Sequence, residues 1–158
     1  MSGSCRAADS AEALRSAGID AHTFDLDDGY AGLELAGLVA LSEATHVLAT
    51  VPPIADLDRD PLLALHREQL LQAPQLSWAG YLSTTSVYGD HGGGWVDEQS
   101  EARGGRAGPR LRAEQEWLGL REGGRVASHA FRLAGIYGPA RSALDTVRRA
   151  QLQPAAAP

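Results

Sequence analysis

Apolar and polar positions fall into alternating blocks along the chain. The run THVLATV (45–51) is nearly continuous in apolar character and stops at Pro52 and Pro53, the signature of a buried parallel strand. Further strands are expected over 1–6, over 21–26 before Asp27, over 78–85 and over 125–133. Between them lie stretches of helical character. In 9–17, Asp9 or Ser10 is placed to cap, Ala11, Leu14 and Ala17 share a face, and Gly18 ends the helix. The segment 60–72 has Pro61 at its first position, 109–121 carries Leu111, Trp117, Leu118 and Leu120, and 142–150 predicts a last helix. A polar, glycine-rich stretch separates 90 from 108, and 151–158 is a low-complexity tail expected to be disordered.

Strands that alternate with helices imply parallel neighbours and a doubly wound α/β sheet of the Rossmann type. Ligands of such sheets sit beyond the carboxyl ends of the strands. The loops after the strands are therefore where chemistry is expected.

Composition narrows the picture. With 158 residues, the chain has room for one domain, placed at 1–150. A formal net charge of -6 disfavours nucleic acid as a partner. No apolar run approaches the roughly 18 residues that span a bilayer, and a single cysteine, Cys5, fits a reducing, cytoplasmic setting. All 14 basic residues are arginine. Schiff-base chemistry, a P-loop lysine and a lysine-assisted tyrosine base are thereby excluded within this sequence. The histidines, at 22, 46, 66, 91 and 129, show no metal-ligand spacing, so no metal site is expected.

Four segments carry a resemblance: YLSTTSVYGD (81–90), WVDE (95–98), the helix RLRAEQEWL (110–118) and FRLAGIYGPAR (131–141). Together they resemble the NAD-dependent epimerase/dehydratase family, in the extended and atypical branch of the short-chain dehydrogenase/reductase superfamily. The likeness runs over about 1–150. It implies an NAD(P)-dependent oxidoreductase or epimerase acting on a small molecule. Members of the family open with a strand and a G-x-x-G-x-x-G turn that cradles the pyrophosphate. This sequence contains no such turn. By that comparison it reads as a fragment short at both ends and lacking the first, central strand. A gap is then expected between the strand at 1–6 and the strand at 45–51, with dinucleotide binding weak or absent.

The resemblance also implies site residues. Thr84, four positions before the tyrosine of V-Y-G, takes the role of the hydroxyl that bonds the substrate oxygen, with Ser83 and Thr85 as near alternatives. These hydroxyls equally serve to end a strand. The Tyr-x-x-x-Lys pair falls on Arg106 and Arg110. A guanidinium keeps its proton and cannot act as a base, although Arg110 can hold a ribose hydroxyl. Tyr88 and His91 are the substitutes nearest the strand end, with His91 titrating near neutrality. The run of glycines after His91 suggests a flexible turn instead. Arg6, after the first strand, favours the 2′-phosphate of NADP over NAD. Asp25 and Leu26 lie where the adenine is placed, Thr50, Val51 and Pro52 near the ribose, and Ala134, Ile136 and Tyr137 beside the nicotinamide. Two alternatives to an enzyme stay open: a non-catalytic dinucleotide-responsive binding module, and a truncated product without function.

Overall fold

In the computed structural model the described residues are 1–27, 31–54, 57, 59–139, 141, 142, 144, 145, 147 and 148. The chain forms β1 (Ser2–Cys5), α1 (Ala8–Ser16), β2 (Asp20–Asp25), β3 (Gly32–Leu33), α2 (Leu35–Ser42), β4 (His46–Ala49), α3 (Pro61–Gln72), β5 (Trp78–Thr84), α4 (Gly108–Leu118) and β6 (Ala127–Leu133). Short 3-10 turns follow β5 (Thr85–Tyr88) and flank α4. The helix expected over 142–150 falls partly, and the tail 151–158 wholly, outside the described residues.

The strands form two three-stranded sheets, β1-β2-β3 and β4-β5-β6. Strands β1 and β2 run parallel, Ser2 opposite Asp20, and β3 adds antiparallel to β2. In the second sheet both pairs are parallel, with Trp78 opposite His46 on one side and Ala127 on the other. Helices flanking this parallel sheet make the fold mixed α/β and Rossmann-like. Between β1 and β4 there is no pairing, so the gap expected there is a feature of the fold.

Helices α3 and α4 bury one face of the second sheet. Leu63 and Leu70 of α3 and Ala113 and Trp117 of α4 pack with Ala49, Ala79 and Tyr81. The Tyr81 and Trp117 rings stack 6.2 Å apart at 9°, a geometry that adds to the area buried. At the start of α3, Asp60 caps by accepting from the Leu63 amide at 3.0 Å. At its end, the Arg125 guanidinium donates to the carbonyls of Leu71 in the last turn, Ala73 at the cap and Leu76 just beyond. Arg125 is therefore a clasp on α3, and β6 begins two residues later than expected, at Ala127.

The opposite face of the second sheet carries Leu48, Phe131 and Leu133, all exposed. Trp78 lies flat along this face across Gly80. A Cβ on Gly80 would come within 2.2 Å of the indole, so only glycine admits it. The strand at 45–51, expected to be buried, is shorter and half exposed, with Leu48 at 51%. Leu48 lies on the open face with Phe131 and Leu133, away from α3 and α4, and is exposed for that reason.

Two further elements depart from the expectations. Asp9 is not the cap of α1; that place falls to Ala7, and Asp9 sits in the first turn, where its charge meets the helix dipole. Helix α2 arises from LAGLVALS (35–42), whose uniform apolar character gives no amphipathic period to read.

Candidate functional site

The carboxyl ends of β1, β2 and β4 converge on one small cavity of about 250 Å³, lined by Ser4, Cys5, Arg6, Phe24, Leu26, Thr50, Val51 and Pro52. Five of the positions singled out for dinucleotide contact, Arg6, Leu26, Thr50, Val51 and Pro52, are thus brought together. Asp25 is exposed beside them, and its carboxylate accepts from the Asp27 amide at 2.9 Å, holding the turn after β2. Arg6 is not idle: its guanidinium pairs with the carboxylate of Asp27. Any phosphate offered to Arg6 therefore competes with Asp27, a partner that sequence reading did not weigh.

These residues suit the adenosine end of a dinucleotide: an apolar floor from Phe24, Leu26, Val51 and Pro52, and a cation at the rim. They do not suit the whole molecule. Ligand pockets usually enclose about 300–1,000 Å³, and none of the lining residues offers the run of glycine amides that receives a pyrophosphate.

The second group lies past β5. Thr84 ends the strand, accepts from the Ser86 amide at 3.2 Å and donates to the Ser86 hydroxyl at 3.2 Å. It thus caps the following 3-10 turn. That turn delivers Tyr88 into a buried position, 7% exposed, with the Arg132 guanidinium 4.6 Å above its ring centroid. His91 is half-buried, and its Nε2 stands 3.2 Å from the Tyr88 carbonyl and 3.1 Å from the Glu101 carbonyl. The imidazole is fixed as a donor between two backbone segments, in contrast to the loose turn expected from its glycine neighbours.

Arg110, on α4, donates to the Leu82 carbonyl at 3.0 Å and so ties the helix to β5. Its charge lies near the Tyr81 hydroxyl, which burial pushes above its ordinary range while Arg110 opposes. Arg106 is exposed in the 3-10 turn before α4. Ala134, Ile136 and Tyr137 follow β6; all three are exposed, and none lines the cavity holding Arg6.

Sequence reading missed the Glu114–Arg132 pair. Glu114 is 1% exposed and Arg132 donates to both its oxygens. Glu114 holds the guanidinium well above its ordinary range, with Tyr88 adding to the effect. Among the described residues no group of three or more His, Cys, Asp or Glu is placed to hold a metal, and no helix is long and apolar enough to cross a membrane.

No protein-family model matches the chain, and no curated protein does. Solved structures similar to the chain include two. A conserved protein of unknown function from Silicibacter pomeroyi DSS shares 37% identity at a TM-score of 0.66, over 92% of this chain and 47% of that one. A protein from Methylobacillus flagellatus, provisionally described as an NAD-dependent epimerase/dehydratase, shares 20% identity at a TM-score of 0.50, over 96% of this chain and 58% of that one. The chain thus spans about half the length of the solved structures it matches. At 20% identity, the second likeness speaks for the fold alone.

Proposed function

We propose that this scaffold serves NAD(P)-dependent oxidoreductase or epimerase/dehydratase chemistry on a small molecule, in the manner of the short-chain dehydrogenase/reductase superfamily. The observation that carries the reading is the convergence of Arg6, Leu26, Thr50, Val51 and Pro52 on one cavity at the strand carboxyl ends. The dinucleotide would supply hydride exchange; its adenosine end would rest among these residues, with Arg6 favouring NADP. On its own the chain binds it weakly, with a dissociation constant of about a millimolar or worse. The reason is the missing phosphate turn: two or three charge-assisted hydrogen bonds at about 1.5–3 kcal/mol each amount to thousands-fold in affinity. In this reading the domain is 1–150, and Thr84 turns its hydroxyl from Ser86 toward a substrate oxygen.

A second reading is a binding module that responds to a dinucleotide without transforming a substrate. It is favoured by the groups standing in for the missing Tyr-x-x-x-Lys pair. Arg110 is occupied with the Leu82 carbonyl, and Tyr88 is covered by Arg132. Titration of the labelled protein with NADPH, followed by NMR, tests the shared part of both readings. Saturable shifts at Arg6, Leu26 and Thr50 in the millimolar range are expected. Shifts scattered over the surface, or none at 10-fold that concentration, would remove the cofactor assignment.

A further inference from the structure

His66 stands where α3 meets the β2–β3 hairpin. Its backbone, at φ −135° and ψ 22°, leaves the helical values inside α3 and kinks the helix there. The ring is 6% exposed, accepts from the Leu33 amide through Nε2 at 2.9 Å and lies 6.0 Å from the Phe24 ring. Gly32, at φ +78°, makes the approach possible, since a Cβ there would come within 2.3 Å of Nε2. Gly32 and Leu33 are the residues by which β3 pairs with Asp25 and Phe24 of β2. Phe24 and Leu26 in turn line the cavity at the strand carboxyl ends, and Asp27 just beyond them holds Arg6. One imidazole thus ties a wall of that cavity to α3.

The bond exists in one protonation state only. An accepting Nε2 puts the ring's single proton on Nδ1, which is buried with no acceptor. A second proton goes to Nε2 and turns the acceptor into a donor facing the Leu33 N–H. Neither ring N–H then has a partner in the pocket, so the charged ring is stable only where it reaches water. Burial lowers the imidazole from its ordinary 6.5, which puts the change on the acid side of neutrality. Nearby charges are otherwise engaged. On β2, His22 lies between Asp20 and Glu34, and Asp25 accepts from the Asp27 amide. Neither β3 nor α2 carries an ionisable side chain. On α3 itself, Asp60 caps the Leu63 amide, and Arg67 and Glu68 follow the ring in sequence.

We propose that His66 is a pH latch on the cavity that holds Arg6. With the ring neutral, the hairpin is fastened to α3, and Phe24 and Leu26 keep their places in the cavity wall. With the ring protonated, the Leu33 bond breaks, the hairpin swings away from α3, and the cavity loses that wall together with the Asp27 grip on Arg6. That the cavity takes the adenosine end of a dinucleotide rests on the reading proposed above. The latch itself belongs to the unliganded chain.

Amide exchange and imidazole nitrogen NMR on the full chain test the latch without ligand. At about pH 7.5 the ring is expected as the Nδ1–H tautomer, with the Leu33 amide protected. On acidification, Leu33 should lose about tenfold or more of its protection at the midpoint of the ring's own titration, after correction for intrinsic exchange, while the amides of β5 keep theirs. His66→Gln keeps an acceptor without a titrating ring and should make Leu33 exchange independent of pH over the same range. Unchanged Leu33 protection while the ring titrates would overturn the proposal, as would protection lost from Leu33 and β5 together. If His66→Gln fails to fold, the two midpoints in the parent protein decide alone. A second arm adds NADP+, which should bind about threefold or more weakly at pH 5.5 than at pH 7.5 in the parent and equally at both in His66→Gln. Binding that ignores pH in the parent would overturn the gating. No binding at either pH removes the cofactor reading, and the latch then stands or falls on the exchange result.

Discussion

Arg132 reaches from β6 to Glu114 on α4, its Nη2 2.6 Å from Oε1 and its Nε 3.1 and 3.2 Å from the two carboxylate oxygens. The two ends of this pair are unequally placed. The Glu114 side chain is 2% exposed, whereas that of Arg132 keeps 20% and also lies over the Tyr88 ring. Removing one partner of a buried pair costs about 3–5 kcal/mol, because the other is left charged and dry. Arg132→Met should therefore cost more than Glu114→Gln: the first strands a buried carboxylate, while the second leaves a cation that can turn to water and to Tyr88. Urea unfolding at neutral pH measures both. A larger cost for Glu114→Gln would contradict this placement of the charges.

His66 links α3 to β3: its Nε2 accepts from the Leu33 amide at 2.9 Å. Nε2 must be unprotonated to accept, and burial lowers the imidazole below its ordinary 6.5. Folding thus favours the neutral ring. Its contribution is complete above about 6.5 and is lost as pH falls through the lower folded value. Asp60 runs the other way: burial raises its carboxyl, so its contribution is present below 3.8 and is lost as pH rises through the folded value. Comparing the protein with His66→Gln separates the two. The glutamine keeps an acceptor, should cost about 1–2 kcal/mol at pH 8, and should flatten the loss of urea stability between pH 7 and pH 5.

The pair between Arg6 and Asp27 gives the cofactor reading a direction. Both side chains are largely exposed, at 66% and 73%, so the interaction is weak and solvent-screened. Asp27→Asn removes the competing anion and should tighten NADPH up to about fivefold while leaving NADH unchanged. Arg6→Ala should erase the difference between the two dinucleotides. Equal effects on NADH and NADPH would detach Arg6 from the 2′-phosphate.

Much of the scaffold is legible in the sequence because strands and helices here carry distinct periods. Pro61 and Gln72 bound α3 as its capping pattern indicates, and β5 ends one residue short of its expected limit. Helix α2 was not legible, since 35–42 is apolar on all sides, and neither was β3, which pairs through only Phe24–Leu33 and Asp25–Gly32. The site residues divide in the same way. Arg6, Leu26 and 50–52 meet because the carboxyl ends of parallel strands must meet. The partners that occupy them, Asp27 for Arg6, Leu82 for Arg110 and Arg132 for Tyr88, come from side-chain directions that no spacing rule supplies.

His91 and Thr84 separate structure from chemistry past β5. The imidazole holds the Tyr88 and Glu101 carbonyls at 3.2 and 3.1 Å, which pins the glycine-rich stretch back onto the strand end. His91→Ala should therefore speed proteolysis within 89–103 severalfold, whatever the protein does. Catalysis is read in a longer polypeptide that supplies a phosphate turn and is active. There, His91→Ala should change turnover by no more than about twofold if the ring is a strut, and by roughly 100-fold, with loss of a titration near neutrality, if it moves a proton. The two carbonyl contacts favour the strut, since they commit Nε2 as a donor. Thr84→Ala should behave differently. The Ser86 amide and hydroxyl lose their partner, at about 0.5–1.5 kcal/mol of stability. If Thr84 bonds a substrate oxygen, turnover should fall far more than the Michaelis constant rises, because that bond strengthens as charge builds on the oxygen. Thr84→Ser, which restores the cap and the hydroxyl together, should recover both properties. Recovery of stability without recovery of turnover would take the substrate role away from Thr84.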